Sequence, residues 1–372
     1  MIKVRNVTEE IEKLCPLTYA EGFDNVGLLI GNIEQTVSGV LVTLDCLEAT
    51  VDEAIENNCN LIVSFHPIIF KGLKKLNGNN YVERVVIKAI KNDIAIYAMH
   101  TALDNSFYGV SAKMAEVLGL VNNKILLPQS GHLKKLTTYA PESAADEIRE
   151  ALFNAGAGNI GNYSHCSFNM SGEGTYLGNE AADPVIGKKG LLERVREIFI
   201  SVIFEKHNES KIMKALLNTH PYEEVAYDIV GLDNVHEKIG MGMIGELKKE
   251  MEAIAFMDQL KKVFHSKTIR HSDLINKKIK RVAVLGGSGS YAIEKAIAAG
   301  ADVFVTADLK YHEFYKAEGK VILADIGHYE REQFTKNLFV DYLTKKITNF
   351  APALLGGRII RSKNYTNPIN YF

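Results

Sequence analysis

Short apolar runs alternate with helical stretches at both ends of this 372-residue chain, and the alternation stops in the middle. That interrupted pattern constrains the fold more than any other feature. GVLVTLD (Gly39–Asp45) reads as a strand, Leu47–Glu56 as a helix and NLIVSF (Asn60–Phe65) as a second strand. Tyr81–Lys91 reads as a helix, IAIYAM (Ile94–Met99) as a third strand, and 108–118 as a closing helix. The same alternation resumes near residue 280. RVAVL (Arg281–Leu285), DVFVTA (Asp302–Ala307) and KVILA (Lys320–Ala324) read as strands. Ser290–Ala299, His312–Glu318 and a long stretch from Glu330 to Lys346 read as helices. Strands alternating with helices imply βαβ units and a parallel sheet.

The middle, roughly 126–245, has another rhythm. LKKLTTYAP, a helix over Ala144–Ala155 and YSHCSFNM make one βαβ-like half. REIFISVIFEK, a helix over Ser210–Thr219 and EEVAYDIV make another, with the Gly-rich stretch Gly172–Gly190 between them as a loop. Two such halves suggest a ferredoxin-like domain. The expected fold is therefore α/β. Residues 1–125 and 246–372 form one domain whose parallel-rich sheet draws on both ends of the chain. Residues 126–245 form an inserted ferredoxin-like α+β domain.

Hydrophobic content of 47% and charged content of 24% suit a chain with a real core. A formal net charge of −2 gives no broad attraction to nucleic acid or anionic lipid. No apolar run approaches the ~18 residues of a membrane span. The start, MIKVRNVTEEIEKLCPL, carries charges where a signal peptide needs an apolar core. Cys15, Cys46, Cys59 and Cys166 are scattered without a CxxC pair, so free thiols in a reducing cytoplasm are expected.

Ligands of open parallel sheets bind beyond the carboxyl ends of the strands, so the residues that follow each strand carry the chemistry. These are Asp45, then His66 with Pro67, then His100 and Asp104, then Asp308 with Lys310, Tyr311 and His312, then Asp325 and His328. His328 and Glu332 are four apart where a helix begins, which puts both on one face, able to grip one ion or bridge two. Imidazole with carboxylate suits zinc, manganese or iron, and the lack of thiolates argues against a closed structural zinc site. His66, Asp104, His328 and Glu332 are thus the expected metal ligands. The plainer alternative is a helix start capped by Asp325 with His328 and Glu332 solvated. For His100 and Asp104 it is local capping with His100 packed beneath.

Two other motifs compete. GGSGS, with Gly286, Gly287, Ser288 and Gly289, follows a strand and opens a helix, so its amides are a candidate phosphate loop. Gly287, Gly289 and Ala292 also fit GxGxxA, with Asp308 about 20 residues on, which is the dinucleotide fingerprint; a tight turn of small residues is the structural alternative. HPYEEVAYD (His220–Asp228) contains metal-type residues but reads as a structural turn.

Six segments together resemble one family, the NGG-interacting-factor-like proteins named GTP cyclohydrolase 1 type 2 homologues. They are FDNVGLLIG (Phe23–Gly31), SFHPIIFKGLKKL (Ser64–Leu76), HTALDN, VLGGSGS, TADLKYHE (Thr306–Glu313) and DIGHYERE (Asp325–Glu332). The middle segment with HPYEEVAYD is similar to the PII-like domain inserted in long bacterial members. The resemblance implies a toroidal homohexamer, a trimer of dimers, with dinuclear metal sites facing an internal cavity. It implies His66 and Asp104 on one metal, His328 on the other and Glu332 bridging. The family's two adjacent histidines are here Phe65 and His66, so one ligand of the second metal is missing. One well-filled site and one weak or empty one are expected.

Three readings of function follow. The first is a metal-dependent hydrolase of a nucleotide-like small molecule using one or two divalent ions per chain, with Asp308, Lys310 and His312 as proton-transfer or supporting candidates. The second is a ring-shaped, non-catalytic metal-binding scaffold or regulator. The third is an NAD-type oxidoreductase using GGSGS.

Overall fold

The computed structural model describes residues 2–350 and 359–372. The chain divides into two compact units, Met1–Pro128 with Glu237–Phe372, and Gln129–His236. In the first unit, helix α1 (Val4–Leu14) leads to the short strands β1 (Gly27–Ile30) and β2 (Val40–Thr43). Then come α2 (Glu48–Glu56), β3 (Leu61–Ser64), α3 (Tyr81–Lys91), β4 (Ala95–Ala98), α4 (His100–Asp104) and α5 (Val110–Val117). Helix α3 starts where it does because the Asn80 side chain accepts the Glu83 amide at 3.0 Å. Strands β2, β3 and β4 pair in parallel, and β1 runs antiparallel to β4 at one edge. Every residue of β2, β3 and β4 is buried, which is why the sequence reads as unbroken apolar runs rather than alternation. The chain then leaves this unit along β5 (Leu120–Gln129).

The second unit contains β6 (Leu133–Pro141), α6 (Ala145–Asn154), β7 (Ser167–Leu177), β8 (Leu192–Glu205), α7 (Glu209–Thr219) and β9 (Tyr227–Leu232). Its four strands form one antiparallel sheet in the order β7-β8-β6-β9. Leu136, Ala140, Ile200, Val202 and Phe204 of the sheet pack with Ile148, Leu152, Ile212 and Leu216 of the two helices. The Gly-rich stretch is not all loop. Gly172 and Gly174 lie inside β7 opposite Glu197 and Val195, and a Cβ at Gly174 would collide with the Glu197 carboxylate. His220 is structural: its Nε2 lies 2.9 Å from the Tyr139 carbonyl and its Nδ1 accepts the Tyr222 amide at 3.2 Å.

The chain re-enters the first unit on β10 (His236–Met251), followed by α8 (Ala253–Phe264), β11 (Arg270–His271), β12 (Ile279–Ser288) and α9 (Ile293–Ala298). It ends with β13 (Val303–Ala307), β14 (Ile322–Asp325), α10 (His328–Glu332), α11 (Thr335–Phe350) and β15 (Ile359–Arg361). The expected single sheet is in fact two mixed sheets, ordered β1-β4-β3-β2-β15 and β11-β14-β13-β12-β10-β5. Each takes one strand from the other end of the chain: β15 pairs with β2, and β5 borders the six-stranded sheet. Side-chain alternation explains why two sheets suffice for one core. Val40, Val42, Leu61 and Val63 of one sheet and Val282, Val284, Val303 and Val305 of the other share a cluster with α1, α5, α8 and α11. Leu41, Ile62 and Ile96 turn to α2 and α3, and Ala283, Leu285, Phe304 and Leu323 turn to α9.

Three local expectations change. GGSGS is not a free loop, because β12 continues to Ser288 and a 3-10 turn over Ser290–Ala292 precedes α9. The stretch 311–317 is a 3-10 helix. The long helix expected from Glu330 is broken into the short α10 and the 16-residue α11. Among the described residues no helix is long and apolar enough to cross a membrane. All four cysteines are free thiols, three of them buried.

Candidate metal centre

The carboxyl ends of the two sheets converge, and their first polar side chains meet. His66 follows β3, while His328 and Glu332 open and close the five-residue α10 that follows β14. Gly327 makes the turn into α10 at a φ of +96°, where a Cβ would strike the Glu330 carboxylate. The Nε2 atoms of His66 and His328 stand 3.4 Å apart. The Glu332 Oε2 lies 3.3 Å from the first and 3.1 Å from the second. These three ligand atoms form a group able to hold one metal ion. The fit is geometric: atoms sharing a metal through ~2.1 Å bonds in a tetrahedral or octahedral shell lie roughly 3.0–3.4 Å from one another. Glu332 is 1% exposed, and its Oε2 has no hydrogen-bond partner among the described residues apart from the two imidazoles.

Each imidazole is held from behind by a carboxylate. His66 Nδ1 lies 2.7 Å from Asp45 Oδ1, and His328 Nδ1 lies 2.6 Å from Asp308 Oδ2. At His66 the Nδ1–H donated to Asp45 fixes the tautomer and turns the Nε2 lone pair to the centre, as at metal-binding histidines generally, whereas His328 Nδ1 faces both Asp308 and the Arg331 guanidinium, the latter at 2.9 Å. Asp45 is fixed in turn by the Thr366 hydroxyl at 2.6 Å. The remaining Glu332 oxygen, Oε1, accepts the Gly287 amide at 3.1 Å and pairs with Arg331 at 3.1 Å. Arg331 itself is 1% exposed. It donates to the carbonyls of Gly287 and His328.

The electrostatics follow from this crowding. Burial opposes ionisation of Glu332, but the Arg331 charge and the hydrogen bonds from both histidines hold it well below the usual carboxylate range. Burial likewise opposes protonation of His66, yet hydrogen bonds to Asp45 and Glu332 raise it to about 10. The same balance, with Asp308 in place of Asp45, raises His328 to about 9. Without a cation the centre holds protons where it would hold metal.

Asp104 lies outside the triangle but close by. It is buried beside Gly286, and its Oδ1 has no hydrogen-bond partner among the described residues. Burial and the Glu332 charge push it up to about 7. His100 is bound to Asp24 through Nδ1 at 2.9 Å, with its ring 5.3 Å from that of His66. Burial opposes the charge on Asp24, but hydrogen bonds from His100 and Thr101 hold it at about 2. Phe65 is 1% exposed and turns into the shared core, its ring 4.9 Å from His66.

The other candidates are placed apart. Lys310 and His312 are exposed, and His312 packs on Tyr311 and Tyr315. The Gly286 amide donates to Ser111 Oγ and the Gly287 amide to Glu332. Two of the amides assigned to phosphate therefore already have protein acceptors, as does Gly287 of the dinucleotide pattern. Sequence reasoning missed Arg331 and Asp24. HYERE reads as a solvated helix face, and Asp24 finds His100 only across a fold that brings positions 24 and 100 together.

A family profile described as Duf34/NIF3 (NGG1p interacting factor 3) matches residues 2–368. A Bacillus subtilis protein named GTP cyclohydrolase 1 type 2 homolog is 37% identical over 370 residues, 99% of this chain and 98% of that protein. The crystal structure of a Bacillus cereus protein related to NIF3 matches with a TM-score of 0.87 at 38% identity, covering 100% of this chain and 99% of that one. A Staphylococcus aureus structure matches with a TM-score of 0.75 at 31% identity, again over 100% and 99%.

Proposed function

The chain belongs to the Duf34/NIF3 family, and from that membership we propose that it is a divalent-metal-dependent hydrolase of a nucleotide-like small molecule. The observation that carries this reading is the three-atom group of His66, His328 and Glu332, with both imidazoles backed by carboxylates. Three protein ligands leave room for water, as in catalytic rather than structural zinc sites. A bound cation supplies Lewis acidity there and lowers the pKa of water from ~16 toward ~7. The chain's own residues do the rest. Asp45 and Asp308 orient the imidazoles, Arg331 neutralises Glu332, and Asp104 offers an unpaired carboxylate oxygen toward a second, weaker site. The name of the Bacillus subtilis relative is consistent with a nucleotide substrate.

The same reading extends to assembly and to the middle unit. A homohexamer, a trimer of dimers, is the assembly proposed, and tyrosines left in solvent, among them Tyr291, Tyr311 and Tyr315 at 55%, 72% and 65% exposure, are consistent with contacts between subunits. A ferredoxin-like, PII-like insert is supported by the β6-α6-β7-β8-α7-β9 succession and its antiparallel order.

The test is metal analysis of the purified protein, then turnover of a panel of nucleotides and phosphodiesters with zinc, manganese and iron. Chelator-sensitive hydrolysis that Glu332→Gln abolishes is expected. Metal bound without any chelator-sensitive turnover would replace the hydrolase with the scaffold reading.

A further inference from the structure

A second polar concavity of the first unit, about 730 Å³, is lined by α2, α10, the start of α11, and β15 with the residues that follow it. Apart from Phe334 and Ile360, every residue lining it has a polar side chain. The volume is that of a small-molecule site. Its charge is one-sided. Lys336, Arg361 and Lys363 line it with His265, against the single carboxylate of Glu53.

That carboxylate is already engaged. Glu53 accepts the Ser362 hydroxyl at 2.5 Å, the Lys363 amide at 2.7 Å and the Asn364 side-chain amide at 2.9 Å. Among the described residues, the bonds of the two inner cations are to neutral acceptors. Lys336 Nζ reaches the Ser362 carbonyl at 3.5 Å, and Arg361 donates to the Asn337 side chain at 2.7 Å. Burial and the Arg361 charge both lower the Lys336 pKa. Glu53 and Asp45 oppose that shift without cancelling it, and three basic side chains against one lining carboxylate leave the groove net positive.

The helix adds to the same field. α11 is 16 residues long, and its first turn holds no acidic residue but does hold Lys336. A cation in the first turn opposes the helix macrodipole, where an acid would be favoured. A lysine there, an arginine facing it and the positive end of the helix together make an environment that an anion completes.

We propose that this groove binds a small phosphate-bearing molecule, held by Lys336, Arg361 and Lys363 at the start of α11. The site is separate from the metal centre, although Tyr329 and Gln333, which line it, alternate along the chain with His328 and Glu332. The inference does not depend on the hydrolase reading.

Inorganic pyrophosphate, titrated calorimetrically into the full-length protein, tests it. A phosphate compound could instead bind at the metal centre, so the titration is repeated on His66→Ala after chelation and on Lys336→Gln/Arg361→Gln. Saturable binding that survives in chelated His66→Ala, and weakens at least roughly tenfold in the double variant, supports the groove. Lys336→Arg, which keeps the charge, should retain most of the affinity. Absence of saturable binding overturns the proposal. So does binding lost in His66→Ala, or unchanged in Lys336→Gln/Arg361→Gln with native circular dichroism.

Discussion

Replacing Asp45 by asparagine keeps a hydrogen-bond acceptor behind His66 and removes a charge. In the native site, hydrogen bonds to Asp45 and Glu332 overcome burial and raise His66 to about 10, while Asp308 and Glu332 raise His328 to about 9. At pH 7 both imidazoles of the metal-free protein are therefore protonated, and a cation must displace about two protons to bind. Apparent metal affinity should then climb about 100-fold per pH unit from pH 7 to near 8.5, and level off above pH 10. In Asp45→Asn the His66 proton is held less firmly, although Glu332 still raises that imidazole, so a cation displaces the proton more easily at pH 7. Losing the carboxylate also makes the imidazole a weaker ligand, by roughly 10- to 100-fold in affinity. The two effects oppose each other below pH 9, so the variant's defect should be small at pH 7 and full at pH 10. Calorimetric zinc titrations in buffers of different ionisation enthalpy count the protons directly. Release of no protons at pH 7 by the native protein, or a defect of constant size at every pH, would refute the reasoning.

Three further outcomes are expected. Phe65→His should raise the metal content per chain while destabilising the fold by about 1–3 kcal/mol, because it places an imidazole where a buried ring packs; two equal, tight sites in the native protein, by metal analysis and titration, would contradict it. The metal-free protein should lose stability between pH 7 and 10. Raised histidine pKa values stabilise the fold fully below about 6.5, and that contribution is lost as pH rises through about 9 to 10; a melting temperature that rises over this range would count against the site charges described. Replacing residues 129–236 by a short linker should leave a folded, metal-binding protein, since β5 and β10 are neighbours in one sheet and can be joined as a hairpin; thermal melting and metal analysis of the deletion variant decide it.

Much of this was legible in the sequence because the central strands are buried on both faces. Val40–Thr43, Leu61–Ser64 and Ala95–Ala98 fall inside the runs read as strands, and helix Tyr81–Lys91 has the expected bounds. His66, His328 and Glu332 could be singled out because each follows such a run, within one short helix in the case of the last two. What failed depends on contacts far apart in the chain. Periodicity reports which residues are buried, not which sheet buries them, so one sheet and two look alike. β15, of three residues, is too short to show a period, and β1 is an edge strand buried only at its two ends, so it lacks the fully apolar run that marks β2, β3 and β4. Arg331 is buried only because the ends of the two sheets close around α10, and nothing local in HYERE distinguishes it from a solvated arginine.

The exchange of strands between the two sheets bears on how the chain is made. On the ribosome, β2, β3 and β4 emerge early, but the edge beside β2 stays open until Ile359–Arg361 has been synthesised. The clamp from Thr366 to Asp45 comes later still. A nascent chain thus exposes an unpaired edge for most of its translation, a template for pairing with other chains. Contacts between residues some 300 positions apart also make closure slow. Aggregation during rapid synthesis, relieved by slower growth or by chaperones, is the hazard built into this topology.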